Sequence, residues 1–232
     1  MPKIWALVLL LIGLTVIGCG EGPDRSRDGY LQVAGSPSMV VARVGEHEIS
    51  RLDLARAVNA SAGPLLARGG CPPDDFEQTI LEMMIRSELL FQLGLESAGD
   101  AARQREEELF AQHLARFPSE TALAEALARD GLTVEEFRAS LKKQAVVEVF
   151  LEREVHNRIE IPDRQVEEYY RAHPEIFLDE DGEPRPLDEV SGEIRVVLAG
   201  AQAPGMIEQI IKRAEKTIPV ERFYVESGSQ EL

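Results

Sequence analysis

Cysteine, histidine and positive charge are all scarce in this chain, and each shortage excludes a class of function. Cysteine occurs twice, at Cys19 and Cys71, so no framework of several disulfides holds the fold. No group of Cys and His has the spacing of a zinc site, so no metal or other cofactor is expected. The four histidines are His47, His113, His156 and His173, and no Ser, His and Asp fall in a recognisable nucleophile motif. No catalytic residue is therefore expected. Lys and Arg number 25 against 41 Asp and Glu, a formal charge of −16. Such a surface repels nucleic acid and anionic headgroups, keeps a tethered protein in solution and draws in basic segments. The acidic runs "REEE" and "DEDGE" read as solvated faces and a loop, since a calcium loop needs alternating oxygen ligands and a glutamate at its twelfth position.

The chain also lacks a membrane span at its start. After Lys3 an apolar run extends from Ile4 to Gly18, 15 residues, whereas a crossing helix needs roughly 20. Residues 1–18 therefore read as a signal peptide. The run closes on "TVIGCG", which resembles a bacterial lipobox, with Cys19 as the lipid attachment site. An ordinary signal peptide with a chance cysteine is the competing reading. One palmitate-like chain holds a protein weakly, at about 0.8 kcal/mol per buried methylene, and several chains hold it firmly. Gly20 stands where some inner-membrane lipoproteins carry Asp, which favours an outer-membrane anchor facing the periplasm. With Cys19 lipidated, Cys71 in the loop "RGGCPPDD" is expected to be an unpaired thiol. Residues 19–38 are rich in Gly, Pro and Ser and form a flexible tether, about 24 Å end to end.

The folded part opens with "VVARVGEHEIS". Two β-prone runs, Val40–Val44 and His47–Ile49, flank Gly45-Glu46, a pair suited to a type II′ hairpin. Ser50 caps a helix over 51–60. "DDFEQTILEMMIRSELLFQLGLESAG" spaces Phe76, Ile80, Met83, Met84, Leu90 and Phe91 by three and four residues and is apolar over much of its girth, so it predicts a central helix. Further helices are expected over 100–116 and from Ser119 to Arg129, stopped at Gly131. Thr133 and Glu136 have capping-box spacing and open what is expected to be the longest helix, over 134–156. A short helix over 163–172 ends at His173-Pro174. Pro204-Gly205 predicts a break in the helical segment after Leu187, and "VERFYV" at 220–225 predicts a strand.

The succession "VGEHEIS", "FPSE", "GLTVEEFR", "LEREV" and "VEEYYRAHPEIF" closely resembles the N-terminal chaperone domain of the SurA/PrsA group of envelope foldases, over about 40–178. The resemblance implies a mainly α fold, a SurA-like helical domain with a small β-sheet formed by the N-terminal hairpin and the C-terminal strand. It also implies that "PLDEVSGEI" is the segment that returns to complete the core. In that family a parvulin-type prolyl isomerase stands between the two. Here Leu178 to Pro186 alone separates Phe177 from Leu187, and a domain of under about 40 residues rarely folds without a staple. The isomerase is therefore expected to be absent, and a truncated parvulin after 187 is disfavoured because no histidine follows His173. The resulting organisation is 39–178 as the helical domain, 179–186 as a loop, 187–225 as returning helices and strand, and 226–232 as a tail. Val220–Val225 is expected to pair with the hairpin, and the helix over 187–199 to pack on the helix from 134 to 156.

The function implied is a lipid-anchored, ATP-independent holdase for unfolded or nascent secreted and outer-membrane proteins, without isomerase activity. A structural or adaptor subunit of an envelope complex is the alternative. Met83 and Met84 suit an adaptable binding surface, although methionine at helical spacing is more often core, and Phe110, Leu114 and Phe117 either line a peptide groove or complete the core. These five residues are the candidate peptide-binding set. A homodimer is an open assembly state.

Overall fold

The computed structural model describes residues 36–223 apart from 130 and 180. The signal segment, Cys19, nearly all of the tether and everything after 223 lie outside the described residues. Two compact units emerge, one of residues up to Ile85 together with those from Val220 onward, the other of Arg86–Pro219.

The first unit is built on β1 (Val40–Val44) and β2 (His47–Ser50), antiparallel, with Val44 opposite His47. Gly45 has φ 57° and no described non-glycine residue has positive φ, which makes the Gly45-Glu46 turn type II′ as the sequence predicts. β3 (Val220–Arg222) adds to the free edge of β1, with Ala42 opposite Arg222, and the Phe223 amide donates to the Val41 carbonyl at 2.9 Å. The expected pairing of the last strand with the first hairpin is present, in the order β2-β1-β3. Burial drives it: Val41, Ala42, Val44 and Ile49 are all buried. Arg43 spans the exposed face, reaching Glu48 on β2 at 2.7 Å and Glu221 on β3 at 3.0 Å. Exposed pairs of this kind contribute little individually, so they bias register more than they stabilise.

Helix α1 (Arg51–Ala67) starts on a full capping box between Ser50 and Asp53. It continues past the expected end through Pro64; the carbonyl that loses its donor there belongs to Ala60, which is exposed and can bond to water. Arg51 and Glu77 form a buried ion pair. Cys71 lies in the following loop, but it is disulfide-bonded and not the unpaired thiol expected.

Helix α2 (Phe76–Leu114), which belongs to the second unit from Arg86 onward, breaks at Gly99, whose φ of 47° and ψ of −135° only glycine adopts readily. The break separates arms over 76–98 and 100–114, close to the two helices read from the sequence. α3 (Glu120–Arg129) is capped by Ser119, which accepts from the Ala122 amide at 3.2 Å. α4 (Val134–Glu154) carries the Thr133–Glu136 capping box, but at 21 residues it is not the longest helix.

Pairs along α4 show how both arms of α2 use it. On the first arm Glu88 meets Lys143 at 2.5 Å, and a Cβ on Gly94 would lie 2.8 Å from Val146 Cγ1 and 3.1 Å from Phe150 Cβ. On the second arm Arg105 meets Glu148 at 2.6 Å, and the Phe110 ring lies 6.5 Å from Phe137. Position along α4 rises with the first arm and falls with the second, so the turn at Gly99 lets one helix pack against both.

α5 (Asp163–Ala172) matches its expected span. α6 (Leu187–Ala214) runs 28 residues through Pro204 without the expected break, and it is longer than α4. Two facts explain its continuity. Gly200, whose carbonyl loses its donor at Pro204, is exposed and can bond to water. The helix is also anchored by burial on both sides of the proline, at Val190 and Ile194 and again at Ile210, Ile211 and Ala214. The first half of α6 packs on α5 and Phe177, in a cluster of Val166, Phe177, Val190 and Ile194, not on α4 as expected. The tyrosines explain the choice: Tyr170 stacks on Phe177 at 5.6 Å, and its hydroxyl donates to the Arg185 carbonyl at 2.6 Å.

Gly94→Ala is expected to lower stability even though alanine is the better helix former by about 1 kcal/mol. The new methyl must displace a stiff valine and the Val146 carbonyl, 3.2 Å away, and overpacking of this kind costs about 1–3 kcal/mol. Gly192→Ala and Gly200→Ala meet nothing within 4 Å and should raise the melting temperature slightly. Thermal melts of the three variants check this, and a G94A protein that melts above its parent contradicts the close crossing.

Candidate functional site

A groove of about 390 Å³ opens in the second unit, lined by α2, α4, the turn after α4 and the second half of α6. Its floor is apolar: Leu93, Phe150, Met206, Ile210 and Ala214. The volume is at the small end for a ligand site and accommodates two or three side chains.

The α6 contribution follows from helical spacing. Met206, Gln209, Ile210, Arg213 and Ala214 succeed one another by three residues or one and form one stripe, which Thr217 extends just past the helix end. Its neighbouring face is pinned by Arg86, whose guanidinium donates to Glu208 at 2.6 Å and holds that carboxyl below its ordinary range. The α4 side is set by Gly94. Because no side chain separates α2 from α4 there, Leu93 comes up beside Phe150.

The rim is polar and unevenly compensated. Arg158 pairs with Glu154 at 2.7 Å. The Arg213 Nε donates to the Gln209 carbonyl at 3.3 Å, and this guanidinium has no carboxylate partner among the described residues. Thr217 donates to the Ala214 carbonyl at 3.0 Å, leaving its oxygen lone pairs for an incoming N–H.

None of the five peptide-binding candidates lines this groove. Phe110 is 8% exposed, in a cluster with Leu109, Leu123, Leu127, Leu141 and Ala145, and Leu114 and Phe117 pack on its edge. The Arg138 guanidinium lies 3.8 Å over the centre of the Phe110 ring. Met83 is exposed and Met84 half-buried, both in the first unit. The groove residues were legible only in part. Phe150 stood in the apolar stripe of α4, but the expected break at Pro204 hid the continuous face from Met206 onward.

Among the described residues no group of three His, Cys, Asp or Glu could hold a metal ion, and no helix is long and apolar enough to cross a membrane. His113, His156 and His173 stand on separate elements. The junction after Phe177 is a closed turn. The Arg185 amide donates to the Phe177 carbonyl at 2.7 Å and Asp179 to Glu183 at 2.8 Å, with Gly182 at φ 83°. Entry to and exit from this loop therefore lie side by side.

No protein-family model matches the chain. Two curated proteins, each named Chaperone SurA, are similar to it. The one from Chromobacterium violaceum is 25% identical over 183 residues, 71% of this chain and 42% of that protein. The one from Nitrosospira multiformis is 27% identical over 192 residues, 74% of this chain and 43% of that protein. The chain thus spans less than half the length of these relatives. These similarities relate it to the SurA-type chaperones.

His113 provides a test of the packing beside the second arm of α2. Its ring meets Phe137 edge-on at 5.2 Å. Burial, and then the positive charge of Arg116, lower its pKa from 6.5. The unfolded chain therefore binds this proton more readily. Stability from the neutral ring is complete above pH 6.5 and is lost as pH falls through that value toward the lowered folded pKa. Parent and His113→Gln proteins melted from pH 8 to pH 5 should converge, or cross, toward the acid side. A gap that stays constant across the range would show that the folded ring titrates normally.

Proposed function

We propose that this chain, a relative of the SurA-type chaperones, is a lipid-anchored, ATP-independent holdase of the bacterial envelope. It binds unfolded or nascent secreted and outer-membrane proteins in the periplasm and has no prolyl isomerase activity. The observation that carries the reading is the groove, whose apolar floor and hydrogen-bonding rim suit an extended polypeptide. Each client side chain buried there contributes about 1.5–3 kcal/mol before the cost of ordering, so capture is weak and release needs no nucleotide. The closed turn between Phe177 and Arg185 supports the absence of an isomerase at that point. The anchor rests on "TVIGCG", with Cys19 as the lipidated residue and the outer membrane as the favoured site. The chain has two cysteines, so a thioether at Cys19 requires the Cys71 disulfide to be made with a thiol other than that of Cys19. A structural or adaptor subunit is the second reading, favoured by the exposed Val196 and Val197 on α6.

The fragment 39–232 should suppress aggregation of a urea-unfolded outer-membrane protein, near equimolar ratio and without ATP, when followed by light scattering. Ile210→Asp should weaken the effect, and prolyl peptide isomerisation should stay at its uncatalysed tens to hundreds of seconds. No suppression at tenfold excess would favour the adaptor reading, and acceleration of isomerisation would restore a truncated parvulin.

In cells, Cys19→Ala should abolish labelling by a radioactive fatty acid and shift the protein out of the membrane fraction. Persistent labelling of that variant, or an intact parent mass lacking a lipid and two masses lower per oxidised thiol pair, removes the anchor from the proposal.

A further inference from the structure

We infer that the groove selects apolar client segments carrying an internal aspartate or glutamate, whose carboxylate is received by Arg213. The inference rests on the holdase reading and refines it by naming the chemistry selected. The net charge of −16 predicts the opposite preference, for basic segments, so the local arrangement must override the global field.

Pairing of the other arginines shows why it does. Arg86, Arg105, Arg138, Arg158, Arg185 and Arg195, all in the second unit, are each held by a carboxylate of the chain, while Arg116 and Arg129, which show no such pair among the described residues, do not line the groove. Arg213 has no such partner among the described residues, uses one of its donors on the Gln209 carbonyl and lines the groove. Four of its five N–H donors remain for a ligand. Arg213 is itself exposed, beside the buried Ile210 and Ala214, so the cation stands at the solvent edge of apolar surface, where a client carboxylate can reach it with a charge-assisted bond. Arg158, by contrast, is neutralised by Glu154 and supplies no net charge.

Complementarity on both counts identifies the occupant. Apolar side chains fill the floor of Leu93, Phe150, Met206 and Ile210, and one carboxylate answers the one uncompensated guanidinium. Thr217 and Gln209 provide polar atoms along the same rim for a main chain that continues past the carboxylate, which fits an internal acidic residue better than a chain end. A basic residue in that place would face Arg213 directly, and like charges at such range repel.

The test uses the full chain and fluorescein-labelled nine-residue peptides of alternating leucine and serine with both ends blocked. Their central residue is Glu, Gln or Lys. A fourth peptide has central Gln and a free C-terminal carboxylate. Anisotropy titration should give the Glu peptide an affinity about threefold above the Gln peptide, as an exposed ion pair implies, with the Lys peptide weakest. The Glu-to-Gln ratio should fall to about one in Arg213→Gln, be partly restored in Arg213→Lys, and shrink with added salt. If the blocked Gln and Glu peptides bind equally, or if the ratio survives in Arg213→Gln, the inference is wrong while the holdase reading stands. Tighter binding of the free-carboxylate peptide than of the Glu peptide also overturns it, in favour of chain ends. Failure of every peptide, together with no suppression of aggregation, removes the holdase reading and this inference with it.

Discussion

The second unit depends on how near the α2 and α4 backbones come at Gly94. With a Cβ there the nearest atom would be 2.8 Å away, so the two helices could not keep their present separation. Three consequences follow from that one missing methyl. Glu88, otherwise a costly buried carboxylate, reaches Lys143 and the Gln92 amide. Leu93 is brought to Phe150, which creates the floor of the groove. The chain then reaches Gly99 at a position where reversal returns Arg105 to Glu148 on the same α4. Buried pairs of this kind are poor stabilisers, because desolvation offsets most of their attraction. What they supply is register: sliding α2 along α4 by one turn would strand Glu88 and Glu148 together.

α6 is the other half of the groove, and its position is set far from it. Val190 and Ile194 are fixed by α5 and Phe177, and Arg195 adds bonds to Asp163 and to the Ile161 carbonyl, the latter at 2.6 Å. A rigid helix transmits that placement past Pro204 to Met206 and Ile210. The short turn at 178–184 therefore matters to the site at a distance. It fixes where α6 begins, and a continuous helix carries the consequence about 1.5 Å per residue onward.

Local chemistry was largely legible in the sequence, and packing was not. Ser50, Thr133, Gly45 and Gly131 act through their immediate neighbours, and each sits where capping or turn rules put it. The end of α2's first arm at Gly99 was visible for the same reason. Pro204 misled because its local penalty, about 3 kcal/mol, is outweighed by burial on either side, and burial depends on residues distant in the chain. Cys71 misled because its state depends on a partner, not on its loop. Gly94 passed unnoticed: a glycine inside a helical pattern reveals a cost, but not the Val146 that requires it. The five candidate peptide contacts were chosen for size and apolarity, which suit core and groove equally, and Phe110 illustrates the core outcome.

The dimensions of the groove constrain how such a site would work. About 390 Å³ limits the gain to a few side chains, while association costs an estimated 4–15 kcal/mol in lost freedom. A single groove of this size is therefore a weak binder whatever its shape. Useful capture must come from repetition, along one client with several suitable segments or across many copies held near one another. A lipid tether confines copies to a surface and raises their effective concentration without adding a contact. The strong net negative charge would then oppose non-specific association of the crowded copies. Weak site, anchor and charge are consistent with one another under the proposed reading, since each would be a defect without the other two.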